Sequence, residues 1–385
     1  MQKIIRTSTI PESLNILLKG QLSFLNNHYN VIAISGRNKS LEEVASREGV
    51  KTVSIEIERK ISFYKDFISL VRLYFRFLKE KPVIVHSITP KAGLLTMLAG
   101  KMAGVPIRMH TFTGLIFPTR TGFMQKLLIK MDQLLCWSAT HIYPEGNGVK
   151  NDLINYQITD KPLKVLANGN VNGIDLNFFS KNNFSENDLS KLKNDLQISD
   201  NDFIFVFVGR LVGDKGINEL VRSFSKLKTQ NSKLLLVGPL ETELDPLKEK
   251  TLKEIENNKN IISVGFQKDV RPYFAISNAL VFPSYREGFP NVVMQAGAME
   301  LPSIVSDING CNEIIVEGEN GTIIPVKNAE AITVAMQKLM EDKDCYLTLK
   351  ANARSMIQSR YEQSVVWNAL LDEYNSLINK LETRN

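Results

Sequence analysis

The residues best placed to do chemistry lie in a turn at positions 283–290, which carries a carboxylate. Ala279 to Phe282 form an apolar run typical of a buried strand, and a helical pattern follows, with Pro290 expected in its first turn. Glu287 would face whatever the turn holds, since free N–H groups at a helix start suit an anion or sugar hydroxyls. The alternative is an ordinary strand-turn-helix with a surface glutamate.

A second turn, earlier in the chain, carries two cations. The apolar run from Phe203 to Val208 predicts a buried parallel strand. The turn after it contains Gly209, Arg210, Lys215 and Gly216. Open α/β sheets bind phosphates at such turns, and cations beside the positive end of a helix favour an anionic partner such as a diphosphate. Without that partner, the two side chains would be solvated at a helix start.

These turns need strands and helices to position them, and the alternation of strand and helix patterns predicts an α/β protein with two doubly wound parallel sheets. A polar stretch from Asp175 to Asp202 marks the linker. The expected strands are Tyr29 to Ser35, Lys51 to Ile57, Val83 to His86, Ile107 to Phe112 and His141 to Tyr143 before the linker, and Phe203 to Val208, Lys233 to Val237, Ile261 to Val264, Ala279 to Phe282 and Ser303 to Val305 after it.

The composition narrows the class of protein. A chain of 385 residues with 43% hydrophobic content is long enough for two domains. Three scattered cysteines indicate a reducing compartment, and together with the four histidines they show no metal-ligand spacing. The N-terminus lacks a secretory apolar core, and no window approaches the roughly 18 apolar residues of a membrane span. We therefore expect a cytoplasmic protein.

Together the two turns resemble the nucleotide-sugar site of the retaining glycosyltransferases of family 4. Further segments agree in order and spacing with that family: His86 to Gly93, Ala103 to Pro106, Asn168 to Asp175, Val237-Gly238, Val264 to Phe266 and Ser306 to Glu313. The resemblance covers nearly the whole chain and implies the GT-B fold, with two Rossmann-like domains facing across a cleft. Residues 1–175 would bind the acceptor, 176–364 would bind the nucleotide sugar, and 365–385 would pack back on the first domain.

The resemblance also implies roles for residues of both turns. Glu287 would contact hydroxyls of the donor sugar, while Arg210 and Lys215 would stabilise the departing diphosphate without a metal. One cation and one phosphate charge interact by about 4 kcal/mol at ~4 Å and an effective dielectric constant of ~20, before desolvation. The donor-binding set is Gly209, Gly216, Phe266, Gln267, Gly288, Phe289, Pro290, Asn291 and Gln295.

Two departures from the family pattern concern the donor. Gln295 stands where relatives have a second glutamate that accepts hydrogen bonds from the ribose, and an amide accepts them more weakly than a carboxylate. In the first domain, relatives often have a histidine directly before the glycine that follows the strand predicted at Ile107 to Phe112. This chain has Thr113 there, before Gly114. His110 is therefore assigned a catalytic contact with the donor, and the alternative is a histidine satisfied inside the core. The acceptor or cleft set is Thr111, Thr113, His86 and Lys91.

An Asp-x-Asp triplet, Asp200-Asn201-Asp202, is of the type that holds manganese in other glycosyltransferases. Because it lies in the polar linker, we interpret it as a solvated turn and expect no metal at the site.

The segment from Arg120 to Trp137 combines lysines with apolar residues at helical spacing. Such a helix can lie on an anionic membrane and bring the site to a polyprenyl-diphosphate-linked sugar, so peripheral contact with the inner membrane is expected. The alternative is a core-packed helix with a solvated basic edge. Nucleic acid is not expected as a partner, because the formal charge of +6 is not gathered into arginine-rich clusters.

The resulting hypothesis is a retaining, metal-independent transferase. It would move a hexosyl or N-acetylhexosaminyl group from a UDP-sugar to a lipid-linked glycan in surface polysaccharide synthesis, and the family implies a front-face mechanism. One alternative is a catalytically silent sugar-nucleotide-binding partner, which Gln295 would favour. Others are a GDP-mannose-dependent transferase and a sugar-nucleotide epimerase, the last of which would need more acidic and histidine side chains near the site.

Overall fold

The computed structural model describes residues 1–227, 231–243 and 245–383. Contacts divide the chain into two units. The first unit comprises residues 1–173 together with the C-terminal segment from 363, and the second comprises residues 174–362. Each boundary lies two residues before the position expected from the sequence.

The first unit is built on a six-stranded parallel sheet of order β3-β2-β1-β4-β5-β6. Its strands are β1 Lys3–Thr7, β2 Asn30–Ser35, β3 Lys51–Ser54, β4 Ile84–Ser87, β5 Ile107–Phe112 and β6 His141–Pro144. Its helices are α1 Pro11–Leu17, α2 Gln21–Asn26, α3 Lys39–Glu48, α4 Phe63–Glu80, α5 Pro90–Met102, α6 Gly122–Ser138, α7 Asn147–Asn155 and the C-terminal helix Gln363–Glu382, with a short 3₁₀ turn at Phe117–Thr119.

Apolar clusters cover both faces of this sheet, as expected for parallel strands buried on each side. The central strand β1 carries a buried arginine, whose charge interrupts the apolar run that normally marks a strand. Arg6 donates from Nη1 to Gln21 Oε1 at 3.0 Å and to the Tyr374 hydroxyl at 3.2 Å. The C-terminal helix thus supplies a partner to a charge in the middle of the sheet.

The second unit contains a six-stranded parallel sheet of order β12-β11-β10-β7-β8-β9. Its strands are β7 Phe203–Val208, β8 Ser232–Val237, β9 Ile261–Gly265, β10 Ala279–Phe282, β11 Ser303–Ser306 and β12 Gly321–Ile324. Its helices are α8 Glu186–Asp195, α9 Ile217–Phe224, α10 Glu249–Asn257, α11 Arg271–Ala275, α12 Asn291–Ala298, α13 Cys311–Ile314, α14 Ala329–Glu341 and α15 Lys343–Tyr361, with 3₁₀ turns at Lys181–Asn183 and Gly213–Lys215.

In both sheets the strand order reverses at the first strand, although all strands are parallel. In each, the next two strands add on one side and the three later strands on the other. Adjacent helices on the two sides of such a reversal diverge at the carboxyl ends of the strands and leave a crevice there, which is where doubly wound sheets bind ligands. The reversal falls between β1 and β4 in the first unit and between β7 and β10 in the second.

Candidate functional site

The two turns singled out in the sequence flank the reversal point of the second sheet. Lys215 follows β7, Glu287 follows β10, and these strands are neighbours. The Lys215 ammonium group forms an ion pair with the Glu287 carboxylate, and both side chains are 18% exposed. The sheet topology therefore brings together two residues that lie far apart in the chain and leaves both accessible.

Glu287 has a second partner that the sequence did not indicate. The fully buried Ser284 donates from Oγ to Glu287 Oε1 at 2.9 Å. The ion pair with Lys215 also uses Oε1. The carboxylate is thus oriented from one side, and its Oε2 is left for other contacts.

Close backbone packing fixes the turns against one another. Gly216 has φ +71°, and a Cβ atom there would overlap the carbonyl oxygen of Pro283. Gly310, in the turn after β11, has φ +75°, and a Cβ atom there would overlap the backbone of Gly288 and Phe289. Only glycine meets both requirements at either position, because L-residues rarely adopt positive φ and the neighbouring backbone leaves no room.

Cys311 begins α13 beside this cluster and is fully buried. Burial, reinforced by the nearby Glu287 carboxylate, raises the pKa of the Cys311 thiol well above its ordinary value. The thiol is therefore neutral and packs as a small apolar group.

Arg210, the second cation of the predicted site, is turned toward a different carboxylate. Its Nη1 donates to Glu241 Oε2 at 2.6 Å, and half of the Arg210 side chain is exposed. Glu241 follows β8, and no sequence pattern distinguished it from other loop glutamates. The structure thus pairs each of the two cations with its own carboxylate.

The remaining donor candidates lie around the same edge of the sheet. Phe289 packs in the core against Tyr361, so only its backbone is available to a ligand. Pro290 is the N-cap of α12 and not a first-turn residue, which corrects the sequence prediction; its φ of −73° and extended ψ place it just outside the helix. Asn291 begins α12, and Gln295 lies one turn later, partly buried.

Two further donor candidates follow β9, on the other side of β7. Phe266 is strongly exposed, and Gln267 donates from Nε2 to the carbonyl oxygen of Val264 at 2.8 Å. Their side chains therefore offer an exposed ring and an amide that is already engaged locally.

His110 does not have the position that a donor contact requires. The residue is fully buried at the end of β5, where Nδ1 is 2.8 Å from the Ser87 hydroxyl and α5 covers the ring at Gly93. Burial lowers the pKa of His110 to about 3, so the imidazole is neutral. The structure corrects the catalytic assignment, because the side chain has no exposed surface with which to touch a ligand.

His86 and Thr111 are likewise committed to internal contacts. His86 is buried, with Nδ1 2.6 Å from the Tyr374 hydroxyl and Nε2 2.8 Å from Thr111 Oγ1. Burial lowers the pKa of His86 well below its ordinary value. These contacts tie β4, β5 and the C-terminal helix together, so both side chains serve the packing of the first unit and expose little surface to an acceptor.

Thr113 and Lys91 remain partly exposed. Thr113 donates to the carbonyl oxygen of Ile88 at 2.9 Å. Lys91 forms an ion pair with Asp66 at 2.6 Å and also donates to the Lys60 carbonyl, which turns it toward α4. Of the four acceptor candidates, these two are the ones that are more than marginally exposed.

The Asp-x-Asp triplet forms a surface turn. Asp202 accepts from the Ser199 amide at 2.8 Å, and Asp200 pairs with Lys193 while remaining 90% exposed. Across residues 1–227, 231–243 and 245–383, no group of three or more His, Cys, Asp or Glu side chains is arranged to hold a metal ion.

The α6 segment predicted to contact a membrane presents apolar residues to solvent. Phe123 is 80% exposed, Trp137 is 60% exposed, and Met124 and Leu134 are exposed too, whereas only Leu135, Cys136 and Ser138 are buried. The helix is therefore not simply packed into the core. None of the helices that the structure describes has the length and apolar character needed to cross a bilayer.

A second helix of the same layer is exposed in the same way, and the sequence analysis did not single it out as a surface. Phe63, Tyr64 and Phe67, at the start of α4, are 64–85% exposed, and Phe75 continues the face at 63%. Helices α4 and α6 pack on either side of α5.

Comparison with known proteins gives two family matches. The family model described as Glycosyl transferases group 1 matches residues 188–356, and the model described as Glycosyl transferase 4-like matches residues 11–145. The first match contains both candidate turns, and the second contains most of the first unit.

Individual proteins agree with these matches. The chain is 33% identical over 386 residues to the capsular polysaccharide biosynthesis glycosyltransferase CapM of Staphylococcus aureus, covering 99% of each chain. It is 28% identical over 303 residues to the UDP-Gal:alpha-D-GlcNAc-diphosphoundecaprenol alpha-1,3-galactosyltransferase of Escherichia coli, covering 78% of this chain and 76% of that protein. The solved structure of a glycosyltransferase from Rickettsia africae ESF-5 has a TM-score of 0.83 over 98% of both chains at 19% identity, which shows the shared fold.

Proposed function

The chain belongs to the group 1 glycosyltransferases and has their GT-B fold, and from that premise we propose a retaining hexosyl or N-acetylhexosaminyl transferase. Its donor would be a UDP-sugar, and its acceptor a glycan carried on polyprenyl diphosphate in surface polysaccharide synthesis. The observation that carries the proposal is the accessible Lys215–Glu287 pair at the reversal point of the second sheet.

The pair fits the charge that develops when a sugar leaves a nucleoside diphosphate. Negative charge builds on the departing phosphate, and Lys215 with Arg210 would stabilise it from the turn after β7. Ser284 and Lys215 both hold Oε1 of Glu287, so Oε2 is free to accept hydrogen bonds from hydroxyls of the donor sugar. Gly288 and Phe289 would add backbone contacts.

The transfer step can proceed on one face of the sugar. The bond between the anomeric carbon and the phosphate oxygen breaks, the acceptor oxygen bonds to the same face, and the acceptor proton passes to the departing phosphate oxygen. Lys215 and Arg210 supply positive charge for this step, so we propose that it needs no divalent metal. Glu287 orients the sugar and is not required to form a covalent intermediate.

The donor and acceptor classes rest on the relatives. The name of the Escherichia coli protein specifies a UDP-sugar donor and a diphosphoundecaprenol-linked acceptor, and the name of the Staphylococcus aureus protein specifies capsular polysaccharide. The same classes fit this chain because its pair of cations suits a diphosphate. Gln295 would contribute a weaker ribose contact than a glutamate would.

A lipid-linked acceptor requires access to a membrane, and the exposed faces of α4 and α6 would provide it. Aromatic side chains at the start of both helices suit the interface of a bilayer, and basic side chains outnumber acidic ones on α4, α5 and α6. Two of the acids are already neutralised, since Asp66 pairs with Lys91 and Glu80 pairs with Lys3 and Lys51. We propose that this layer contacts the anionic cytoplasmic face of the inner membrane.

The donor is tested by thermal unfolding in the presence of UDP, GDP and their common sugar conjugates, with and without EDTA. A ligand that binds only the folded protein raises the melting temperature. We expect a shift with UDP compounds that EDTA leaves unchanged. A shift with GDP compounds alone would indicate the GDP-mannose alternative, and loss of the shift in EDTA would contradict metal independence.

The silent-partner alternative predicts binding without transfer. The best donor is therefore incubated with polyprenyl-diphosphate-linked acceptors, and release of UDP together with a product larger by one sugar is followed. Binding with no release for any acceptor would favour the silent partner, and its cause could be examined with Gln295→Glu.

The membrane contact is tested by sedimentation with vesicles containing anionic phospholipid. The double variant Phe63→Ser/Phe67→Ser should bind several-fold less than the unchanged protein. Ile16→Ser is the matched control, because Ile16 is 67% exposed on α1, outside the α4–α6 layer. Equal binding by all three proteins would contradict the proposed surface.

A further inference from the structure

Glu241 has no assigned role, yet it forms an ion pair with Arg210, one of the two cations of the proposed donor site. We propose that the Glu241 carboxylate competes with the donor diphosphate for Arg210, and so lowers nucleotide affinity and speeds release of the nucleoside diphosphate product. The inference rests on the proposed function, since it assumes that a diphosphate binds at the turn after β7.

The loop that carries Glu241 is fastened to that turn on both sides of the residue. Before it, the Leu211 amide donates to the Pro239 carbonyl oxygen at 2.9 Å, and Leu211 and Leu240 form a parallel bridge. After it, the Gly213 amide donates to the Asp245 carbonyl oxygen at 3.0 Å. Glu241 is therefore held beside the turn and does not meet Arg210 by chance from a distant loop.

The geometry of the pair suits displacement by a stronger anion. Arg210 is 51% exposed and Glu241 is 26% exposed, so the 2.6 Å contact between Nη1 and Oε2 can open into solvent without burying a charge. Exposed ion pairs of this kind contribute little to stability, whereas a diphosphate offers the guanidinium more charge and several acceptor oxygens. The donor diphosphate therefore displaces Glu241 from Arg210, but its binding free energy is reduced by the free energy of the ion pair that it breaks.

The two carboxylates of the site differ in this respect. Glu287 pairs with Lys215 and keeps Oε2 for the donor sugar, so its removal would cost a contact. Glu241 has the Arg210 guanidinium as its hydrogen-bond partner within the described residues. Removing its charge should therefore strengthen nucleotide binding, which is the opposite of the effect expected at Glu287.

The test compares the unchanged protein with Glu241→Gln and Glu243→Gln in calorimetric titrations with UDP, and in stopped-flow measurements of UDP dissociation. Glu243 is an exposed glutamate of the same loop, so its change removes the same charge two residues away. We expect Glu241→Gln to lower the Kd for UDP roughly two- to five-fold and to slow its dissociation, with Glu243→Gln unchanged. Equal tightening by both variants would overturn the inference, because it would show a general charge effect.

A second comparison tests whether the effect passes through Arg210. In an Arg210→Ala background, Glu241→Gln should leave the Kd for UDP unchanged, and any remaining gain would contradict direct competition. If the unchanged protein binds UDP and Glu241→Gln binds it equally or more weakly, the inference alone fails. If the unchanged protein binds no nucleoside diphosphate, the proposed function fails and takes the inference with it.

Discussion

The two sheets have the same strand order but place different chemistry at the reversal point. In the second unit, the turns after β7 and β10 bring a lysine and a glutamate together, and both stay accessible. In the first unit, the turns after β1 and β4 bring together two hydroxyls, since Thr9 Oγ1 lies 2.8 Å from Thr89 Oγ1. The topology supplies a crevice in both cases, and the side chains decide what it can bind.

The ionisable groups show the same contrast. His86 and His110, near the reversal point of the first sheet, are buried and held neutral, while Lys215 and Glu287 of the second form an ion pair and are partly exposed. A polyanion such as a nucleoside diphosphate therefore suits the second unit, and an uncharged polar ligand suits the first.

The largest effect is expected at the charged pair. Lys215→Ala and Glu287→Ala should each lower turnover by at least ~10²-fold without changing the fold, because each removes charge that acts at the reacting sugar or its leaving group. Thr89→Val, at the corresponding place in the first unit, should lower it by less than ~10-fold. The three variants are compared by rate of UDP release and by circular dichroism. A larger loss in Thr89→Val than in Lys215→Ala would reverse the assignment of the two units.

The next effect concerns close packing in the second unit. Gly216 and Gly49 have similar φ values, +71° and +65°, but a Cβ atom at Gly216 would overlap Pro283 whereas nothing lies within 4 Å of one at Gly49. Gly49→Ala should cost about 1 kcal/mol of unfolding free energy for the backbone conformation alone. Gly216→Ala should cost about 2 kcal/mol more, because its neighbours must move. Denaturant unfolding measures both, and equal costs would show that the turn relaxes freely.

A smaller effect is expected at Ser284. Ser284→Ala removes a hydrogen bond to a charged carboxylate and should lower kcat roughly 10-fold with little change in KM for the acceptor. Ser277→Ala is the control, because Ser277 is a buried serine of the same unit that donates to the Tyr273 carbonyl oxygen at 2.7 Å, away from the site. Similar losses in both variants would indicate a structural effect and not the positioning of Glu287.

The last effect is on stability and not on turnover, and it is a pH dependence that belongs to the first unit. The pKa values of His86 and His110 are lower in the folded than in the unfolded chain, so below about pH 6.5 the unfolded chain takes up protons that the folded chain does not. Stability should therefore fall on acidification, by about 1.4 kcal/mol per pH unit for each histidine, and for His110 until the pH nears its folded pKa of about 3.

Tryptophan emission isolates this effect, because Trp137 and Trp367 both lie in the first unit. Urea unfolding at about pH 7.5 and about pH 5.5 gives the loss, which His110→Gln should reduce and His28→Gln, at an exposed histidine, should not. An unchanged difference in His110→Gln would mean that the buried imidazole is not the source.

The sequence predicted five of the six strands of each sheet, and the strand missed in each has a physical reason. Strands β7 and β10 are uninterrupted apolar runs, and their observed bounds equal the predicted ones. Strand β1 was not predicted, because Arg6 interrupts its apolar run and its partners Gln21 and Tyr374 are brought to it only by the fold. Strand β12, four residues with two only partly buried, was missed as well.

Prediction of the site residues from the sequence was limited in the same way. Turn composition was enough to single out Lys215 and Glu287, since glycines and charges cluster there in sequence. Ser284 and Glu241 contact the pair and Arg210 only in the folded chain, and a serine or glutamate in a loop carries no local signal in the sequence. The error at His110 has a related cause: a residue at the carboxyl end of a strand can face the crevice or the interior, and α5 decides which.

The order of the two units along the chain affects how they fold during synthesis on the ribosome. The second unit is continuous, from residue 174 to residue 362, whereas the first is completed by the helix Gln363–Glu382, which follows the second unit in the chain. Until that helix emerges, Arg6 lacks its Tyr374 partner and part of the apolar surface of the first sheet is uncovered. During synthesis the first unit is therefore begun before the second and completed after it, and its uncovered apolar surface is prone to aggregation in the interval.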